Sequence, residues 1–212
     1  ATYNTKLIIS DRDAEGLKNT ASKIEKLGSK ARMEPLDMSD SDAIFATAKK
    51  VLADGEKISG LYQFAGISQR SLTVETPMSL YRKIFEVNFF GMVALTKEVL
   101  PYMIKQGGGK IAGTSSIVGK FGFPYRSSYA ATKHALHGFF ESLRAENVSF
   151  KVLVSMIIPG RIKTNISVNA LDKDGNTHNK MDEGQDKGLS AEKTTTIIVK
   201  QLGKEKKASR WL

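Results

Sequence analysis

Tyr129 and Lys133 are the two residues of this chain whose types and spacing most directly suggest acid–base chemistry. They lie four residues apart in the stretch SSYAATKHAL, residues 127–136, whose small residues favour a helix. A spacing of four places both side chains on one face of a helix, one turn apart. A phenol has an ordinary pKa of about 10, and a neighbouring ammonium group lowers that pKa by stabilising the phenolate. The alternative is a half-exposed tyrosine beside a solvated lysine.

Two further polar residues favour the catalytic interpretation. Ser116, in TSSIVG, follows a strand-like run, and its hydroxyl could hold a carbonyl or alcohol oxygen beside the phenol. Asn88, in EVNFFG, lies inside a long helical pattern, where asparagine is a mediocre helix former. An amide there could hold a water that connects to the lysine. Each residue alone has a purely structural explanation, but the four together in this order are specific.

The elements that must position these residues alternate along the chain. Apolar runs typical of buried strands are KLIIS, ARMEP, ISGLYQFAG, KIAGT and FKVLVSMII. Helical patterns lie between them, and one more follows in the tail, with Ser190 as its expected N-cap. This alternation predicts an α/β fold with a doubly wound parallel sheet. Asp11, Asp37, Gly66, Ser116 and Gly160 each follow a strand-like run, at the edge where such sheets bind ligands.

Composition excludes several classes of function. The 212 residues suffice for a single domain with a substantial core. The absence of cysteine excludes disulfides and Cys-ligated zinc, and three histidines without a ligand pattern predict no metal site. No run of about 18 apolar residues occurs, so no membrane span is predicted.

The net charge of +10 raises nucleic acid as a partner. The basic residues do not form one stripe, however, and the densest stretch, KQLGKEKKASR at residues 200–210, is typical of a solvated helix end. We therefore predict no nucleic-acid partner, and a basic nucleic-acid-binding protein remains only an alternative.

Five motifs resemble the short-chain dehydrogenase/reductase family, and the resemblance extends over nearly the whole chain. They are QFAG (63–66, with its first two positions changed from the family pattern), NFFG (88–91), TSSIVG (114–119), YAATK (129–133) and PGRIKT (159–164). The polar segment after PGRIKTNIS is similar to the hydroxysteroid-dehydrogenase-like branch. The resemblance implies a Rossmann-like fold and an NAD(P)-dependent oxidoreductase that interconverts a secondary alcohol and a carbonyl.

The resemblance also implies a role for each residue of the tetrad. Tyr129 would be the acid/base, and Ser116 would position the substrate oxygen. Lys133 would lower the tyrosine pKa and bind the nicotinamide ribose, and Asn88 would anchor a proton-relay water.

The cofactor is expected to be NAD or NADP. The implied cofactor-binding residues are Asp11, Arg12, Asp37, Met38, Ala65, Gly66, Lys133, Pro159, Gly160, Ile162 and Thr164. A carboxylate at Asp11 can accept hydrogen bonds from a ribose 2′-OH and would repel a 2′-phosphate, which favours NAD. Arg12, directly after it, could instead pair with a 2′-phosphate.

One part of the family pattern has no counterpart. A first strand, a glycine-rich turn and a helix should precede KLIIS, and the turn normally brings backbone N–H groups to the pyrophosphate. QGGGK, residues 106–110, follows a helix and precedes a strand, which is the reverse of the required order. We therefore expect the N-terminal βα unit to be absent from this chain, which omits part of the protein, and the sheet to lack its middle strand.

Further expectations concern the substrate and the assembly. Residues 167–188 are polar and rich in turn residues, which predicts a mobile substrate lid. The family implies a small-molecule substrate, a homodimer or homotetramer and a cytoplasmic location. The missing turn and the altered QFAG leave a second function open, namely a catalytically inactive relative that serves as a binding or scaffold protein.

Overall fold

The computed structural model describes residues 5–204, and within this range short parallel strands alternate with helices. The strands are β1 (Lys6–Ile9), β2 (Lys30–Met33), β3 (Gly60–Gln63), β4 (Gly109–Thr114) and β5 (Val152–Ile157). The helices are α1 (Ala14–Lys26), α2 (Ser41–Leu52), α3 (Met78–Phe85), α4 (Gly91–Lys105), α5 (Ser127–Glu146), α6 (Glu183–Asp186) and α7 (Ala191–Lys204). The predicted α/β fold with parallel, Rossmann-like strand pairing is confirmed.

Local side-chain caps explain where three of the helices begin. Asp13, Asp40 and Ser190 each accept a hydrogen bond from the backbone N–H three residues further on, at 3.0, 2.9 and 3.2 Å. Such bonds satisfy a donor that has no partner within the helix. Ser190 has the capping role that the sequence predicted for it.

The sheet consists of two separate parts. β1 pairs with β2, and β4 lies between β3 and β5, with every pairing parallel. Within residues 5–204 no strand joins β1 to β3, so one edge of each stays unpaired. Ile8 and Tyr62, on these two strands, remain 42% and 44% exposed. The break lies where the resemblance expected the middle strand to be missing.

The long helical pattern of residues 77–109 is divided into three parts. α3 ends at Phe85, a π-helical turn runs over Glu86–Phe90, and α4 continues from Gly91. A Cβ at Gly91 would meet the Met38 carbonyl oxygen at 2.1 Å, so only glycine permits this close approach to the turn after β2. The wider π turn carries Asn88, and single π turns of this kind are frequent at functional sites.

The main core lies where α4 and α5 pack against the three-stranded part of the sheet. Its buried members are Met92, Val99, Met103, Ile111, Leu136, Phe140, Leu143, Val152 and Val154. Because α5 contributes its apolar face to this core, its orientation over β4 and β5 is fixed. That orientation determines where Tyr129 and Lys133 lie.

Two further sequence expectations concern a membrane span and the basic stretch at residues 200–210. No helix within residues 5–204 is both long enough and apolar enough to cross a membrane. Residues 205–210 of the predicted basic helix end lie outside the described residues.

Candidate active site

Tyr129 and Lys133 lie on one buried face of α5, as their spacing predicted. Tyr129 is 7% exposed and Lys133 only 3%, which excludes the alternative of a solvated pair. The Lys133 Nζ is 5.6 Å from the centre of the Tyr129 ring and donates a 2.8 Å hydrogen bond to the Thr114 carbonyl at the end of β4. The two side chains are therefore held together at the carboxyl edge of the sheet.

Burial dominates the proton affinity of both groups. It lowers the pKa of Lys133 to about 8, because the ammonium group is removed from water. It raises the pKa of Tyr129, while the Ser116 hydroxyl and the guanidinium groups of Arg126 and Arg70 lower it. Lys133 was expected to lower the pKa of Tyr129, whereas in the structure the lowering contributions come from Ser116, Arg126 and Arg70.

Ser116 lies next to the phenol at the end of β4. It is 9% exposed, and its Oγ accepts a 3.3 Å hydrogen bond from the Val118 N–H, which caps the short 3₁₀ turn Ile117–Gly119. The structure thus brings Ser116, Tyr129 and Lys133 together from two elements, as predicted.

Asn88 belongs to the same buried cluster, where its amide is hydrogen-bonded within the protein, and the proton-relay water stays a prediction. Its Oδ1 accepts from the Ile67 N–H at 2.8 Å, and its Nδ2 donates to the Ile67 carbonyl at 2.9 Å and to the Thr132 hydroxyl at 3.2 Å. Both amide N–H groups are thus used within the protein, which leaves at most one lone pair of Oδ1 for a water. The side chain fixes the turn after β3 against α5.

The turn after β3 lies against Asn88 and the lysine. A Cβ at Gly66 would be in van der Waals contact with both, 3.4 Å from Asn88 Oδ1 and 3.5 Å from Lys133 Nζ. Gln63, at the altered first position of QFAG, is buried and donates to the Thr96 hydroxyl at 2.9 Å. Ala65, between Gln63 and Gly66, is exposed. Gln63 therefore ties β3 to α4, and of the two predicted cofactor positions Ala65 is open to a ligand and Gly66 lies beside Lys133.

The residues predicted to hold an adenosine lie at the ends of β1 and β2. Asp11 accepts from the Asp13 N–H at 3.0 Å and is exposed. Hydrogen bonds from the Ser39 N–H and hydroxyl lower the pKa of Asp37, and the nearby Arg12 charge lowers it further. The structure thus brings Asp11, Arg12 and Asp37 to one edge, while the Met38 carbonyl faces Gly91.

The loop of residues 159–164 follows β5 and borders the same edge. The Pro159 carbonyl accepts from the Ile117 N–H at 3.1 Å. The Ile162 carbonyl accepts from the Gln185 amide and, at 3.5 Å, from Thr164. Gly160 and Thr164 are exposed. Because the Ile162 carbonyl already accepts these hydrogen bonds, the backbone N–H of Ile162 is the group that could bind a ligand carboxamide.

A cavity of about 160 Å³ opens beside Ser116. Its other lining residues come from the 3₁₀ turn, the start of α5, the loop after β5 and the predicted lid: Ile117, Val118, Phe123, Arg126, Gly160, Arg161, Asp182, Gly184 and Gln185. A wider, shallower hollow beside α2 and α4, with Phe45 and Glu98 in its wall, lies away from these residues. The cavity at Ser116 is therefore the candidate substrate site.

The predicted lid, residues 167–188, is attached at both ends. Leu171 exchanges backbone hydrogen bonds with Ser68 and Arg70, at 2.9 and 2.8 Å. Its C-terminal part supplies Asp182, Gly184 and Gln185 to the cavity wall. This part of the segment therefore borders the candidate site, and its role as a mobile substrate lid remains a prediction.

Three arginines at this site were not identified from the sequence. They come from three distant segments of the chain: Arg70, Arg126 and Arg161. The sequence signals were limited to the position of Arg161 inside PGRIKT and of Arg126 just before the helix that carries Tyr129. No group of three or more potential metal ligands of the His, Cys, Asp or Glu type occurs in the part of the chain that the structure describes.

Comparison with known proteins agrees with this geometry. A family model described as short chain dehydrogenase matches residues 1–175. Dehydrogenase/reductase SDR family member 7B of Xenopus tropicalis is 36% identical over 209 residues, which make up 96% of this chain and 68% of that protein. The chain spans 64% of the length of the relatives of that name from Xenopus laevis, Mus musculus and Bos taurus.

Two solved structures extend the comparison to the fold. A short-chain dehydrogenase from Streptomyces avermitilis is similar with a TM-score of 0.79 and 27% identity, covering 95% of this chain and 75% of that one. ElxO with NADP bound has a TM-score of 0.68 and 28% identity, and the match covers 74% of this chain and 63% of that one.

Proposed function

Because the chain belongs to the short-chain dehydrogenase/reductase family, we propose that it interconverts a secondary alcohol and a carbonyl with the help of NAD or NADP. The observation that carries the proposal is the buried pair Tyr129 and Lys133 beside Ser116, and Ser116 in turn lines a cavity. A buried phenol next to a hydroxyl and an open cavity is suited to proton transfer with a bound oxygen atom.

The residues present fit the nicotinamide end of such a cofactor. Lys133 uses one of its N–H donors on the Thr114 carbonyl, and the Thr114 hydroxyl is buried without a partner among residues 5–204. Lys133 would hold the ribose, and the Ile162 N–H with Thr164 would hold the carboxamide, as the family resemblance implies.

The adenosine end fits as well, whereas no pyrophosphate cradle is found. Asp11 and Asp37 lie at neighbouring strand ends, where a ribose and an adenine would be bound. Between residues 5 and 204 no glycine-rich turn leads from a strand into a helix, so the described residues do not supply the backbone contacts for the pyrophosphate. ElxO, bound to NADP, supports a nicotinamide dinucleotide as the cofactor. The expectation that NAD is favoured over NADP remains a prediction.

The chain's own residues supply the acid–base chemistry. When bound, the nicotinamide ring supplies or accepts the hydride. Tyr129 donates its proton to the carbonyl oxygen during reduction and accepts it back during oxidation, while the Ser116 hydroxyl holds that oxygen. Because burial keeps the pKa of Tyr129 high, the phenol is protonated at neutral pH, which favours the reductive direction.

The second candidate is a catalytically inactive relative with a binding or scaffold role. It is favoured by the lack of a glycine-rich turn in the described residues and by Gln63 at the altered motif. The assembled Tyr129, Ser116 and Lys133 favour the enzyme instead. The cytoplasmic location and the homo-oligomer expected from the sequence remain predictions.

Oxidation of NADH and NADPH by the purified full-length protein with a panel of ketones tests the proposal. Tyr129→Phe should lower the turnover number by at least about a hundredfold, since a general acid contributes about that much. Tyr102→Phe is the matched control, because its hydroxyl contacts only the exposed Glu56 carbonyl, and it should keep the wild-type rate. Near-normal rates for Tyr129→Phe would rule out the phenol as the acid, and failure to bind either cofactor would favour the scaffold.

A further inference from the structure

Two guanidinium groups pair with a single carboxylate next to the cavity, and a third lines the same cavity. Arg70 and Arg126 both donate to the same oxygen of Asp182, at 2.5 and 2.6 Å. Asp182 belongs to the segment 167–188, whereas Arg70 follows β3 and Arg126 immediately precedes α5. One carboxylate therefore neutralises one of the two guanidinium charges with which it is paired.

Arg161 adds a third positive charge. Its guanidinium group lies directly over Gly184, where a Cβ would be 1.9 Å from Nη1. Arg161 is exposed, and its guanidinium group forms no hydrogen bond or ion pair with the residues between 5 and 204. Arg161 and Arg126 both line the cavity that contains Ser116.

The cavity wall thus has an excess of positive charge. Arg126, Arg161 and Asp182 line the cavity, and Arg70, which is not part of the lining, pairs with Asp182. Three guanidinium charges thus meet one carboxylate, which leaves a net charge of about +2. The pKa of Arg126 is lowered by burial and then by Arg70 and Arg161, because like charges in a partly dry site repel one another. An anion placed in the cavity would relieve this repulsion.

Building on the proposed function, we propose that the carbonyl substrate carries an anionic group, a carboxylate or a phosphate, which binds Arg126 and Arg161. The reacting carbonyl then lies at Ser116, which lines the same cavity and is next to the Tyr129 hydroxyl. Guanidinium groups bind carboxylate and phosphate oxygens through paired, charge-assisted hydrogen bonds. The volume of about 160 Å³ suits a small charged head rather than a bulky apolar group.

The arginines have different roles in this proposal. Arg70 and Arg126 hold Asp182, so they also attach the segment 167–188 to the body of the protein. Arg161 contributes nothing to that attachment through an ion pair. Replacing Arg161 therefore removes the anion contact without breaking the Asp182 pairs, and it is the informative substitution.

Two measurements on the full-length protein test the proposal. The first compares kcat/KM for related ketones with and without an anionic group, namely levulinate with methyl levulinate, and hydroxyacetone phosphate with hydroxyacetone. The second titrates inorganic phosphate and acetate into the protein by calorimetry at constant ionic strength. Lys187→Gln is the matched control, because it removes one positive charge from the same region, where Lys187 pairs with Glu183 on the exposed helix α6.

We expect the protein to prefer the charged ketone of at least one pair. In Arg161→Gln this preference, and the affinity for the corresponding anion, should fall by about tenfold to a hundredfold, the usual range for a hydrogen bond to a charged group. Lys187→Gln should keep both. Comparing the phosphate pair of ketones with the carboxylate pair shows which of the two anions the site accepts.

The outcomes separate this inference from the proposed function. Turnover of ketones without any preference for charge, or equal anion binding by Arg161→Gln and the wild type, overturns the anion site and leaves the oxidoreductase intact. Anion binding that depends on Arg161 without turnover of any ketone supports the site and contradicts the proposed reaction. No binding of either anion overturns the inference.

Discussion

Lys133 carries its charge in the interior of the protein, and its replacement by methionine measures what this buried charge does to the stability of the fold. Methionine has nearly the same length and no charge. The Lys133 side chain is 3% exposed, and burial lowers its pKa from an ordinary 10.5 to about 8. The ammonium form is therefore less favourable in the folded than in the unfolded chain.

The size of this effect follows from the two pKa values. The difference between 10.5 and about 8 corresponds to about 3 kcal/mol of destabilisation while the lysine is charged in both states. Methionine removes this penalty but also loses the hydrogen bond to the Thr114 carbonyl, which contributes about 1 kcal/mol. At pH 7 we expect Lys133→Met to be more stable than the wild type by about 2 kcal/mol.

The difference in stability between Lys133→Met and the wild type should depend on pH. Below about pH 8 the folded and unfolded wild type both carry the proton, and the penalty is fully present. Between about pH 8 and 10.5 the unfolded state binds more protons, so the stability of the wild type rises with pH. The advantage of Lys133→Met should therefore shrink across this range and change sign at its upper end.

Urea unfolding at a series of pH values measures the difference in the free energy of unfolding. Lys97→Met is the matched control, since this lysine is exposed on α4, and it should change stability by less than about 0.5 kcal/mol at every pH. If Lys133→Met proves less stable than the wild type at pH 7, or if the difference does not vary with pH, the interior charge is not destabilising and the reasoning fails.

Three further predictions follow from the site. Asn88→Ala should lower the free energy of unfolding by about 2–3 kcal/mol, because it removes three buried hydrogen bonds to Ile67 and Thr132. If urea unfolding shows an unchanged stability, the amide does not fix the turn after β3. Fluorescence titration should show tighter binding of NADH than of NADPH, and Asp11→Ser should reduce the difference; a preference for NADPH in the wild type would contradict the role of the carboxylate. Amide hydrogen exchange across residues 167–188 should slow when cofactor and a substrate analogue are added together, and strong protection already present without ligands would exclude a mobile lid.

The sequence by itself determined the features that depend on neighbours a few residues away. The order of strands and helices, the caps at Asp13 and Ser190, and the shared face of Tyr129 and Lys133 all follow from local spacing. The position of Ser116 beside this pair was also predictable, because polar residues that follow parallel strands collect at one edge of a sheet.

Only the tertiary structure decided the contacts between residues far apart in sequence. Asn88 bonds to Ile67 across 21 positions, and Arg70 pairs with Asp182 across 112, and no local pattern records either pair. The directions of the pKa changes at Tyr129 and Lys133 likewise depend on burial by several elements at once. Side-chain periodicity encodes which face of an element is buried, whereas the charges and hydrogen-bond partners that meet in a site are set by how the elements pack. For this reason the grouping of Tyr129, Lys133 and Ser116 could be predicted from the sequence, but the arginines beside them could not.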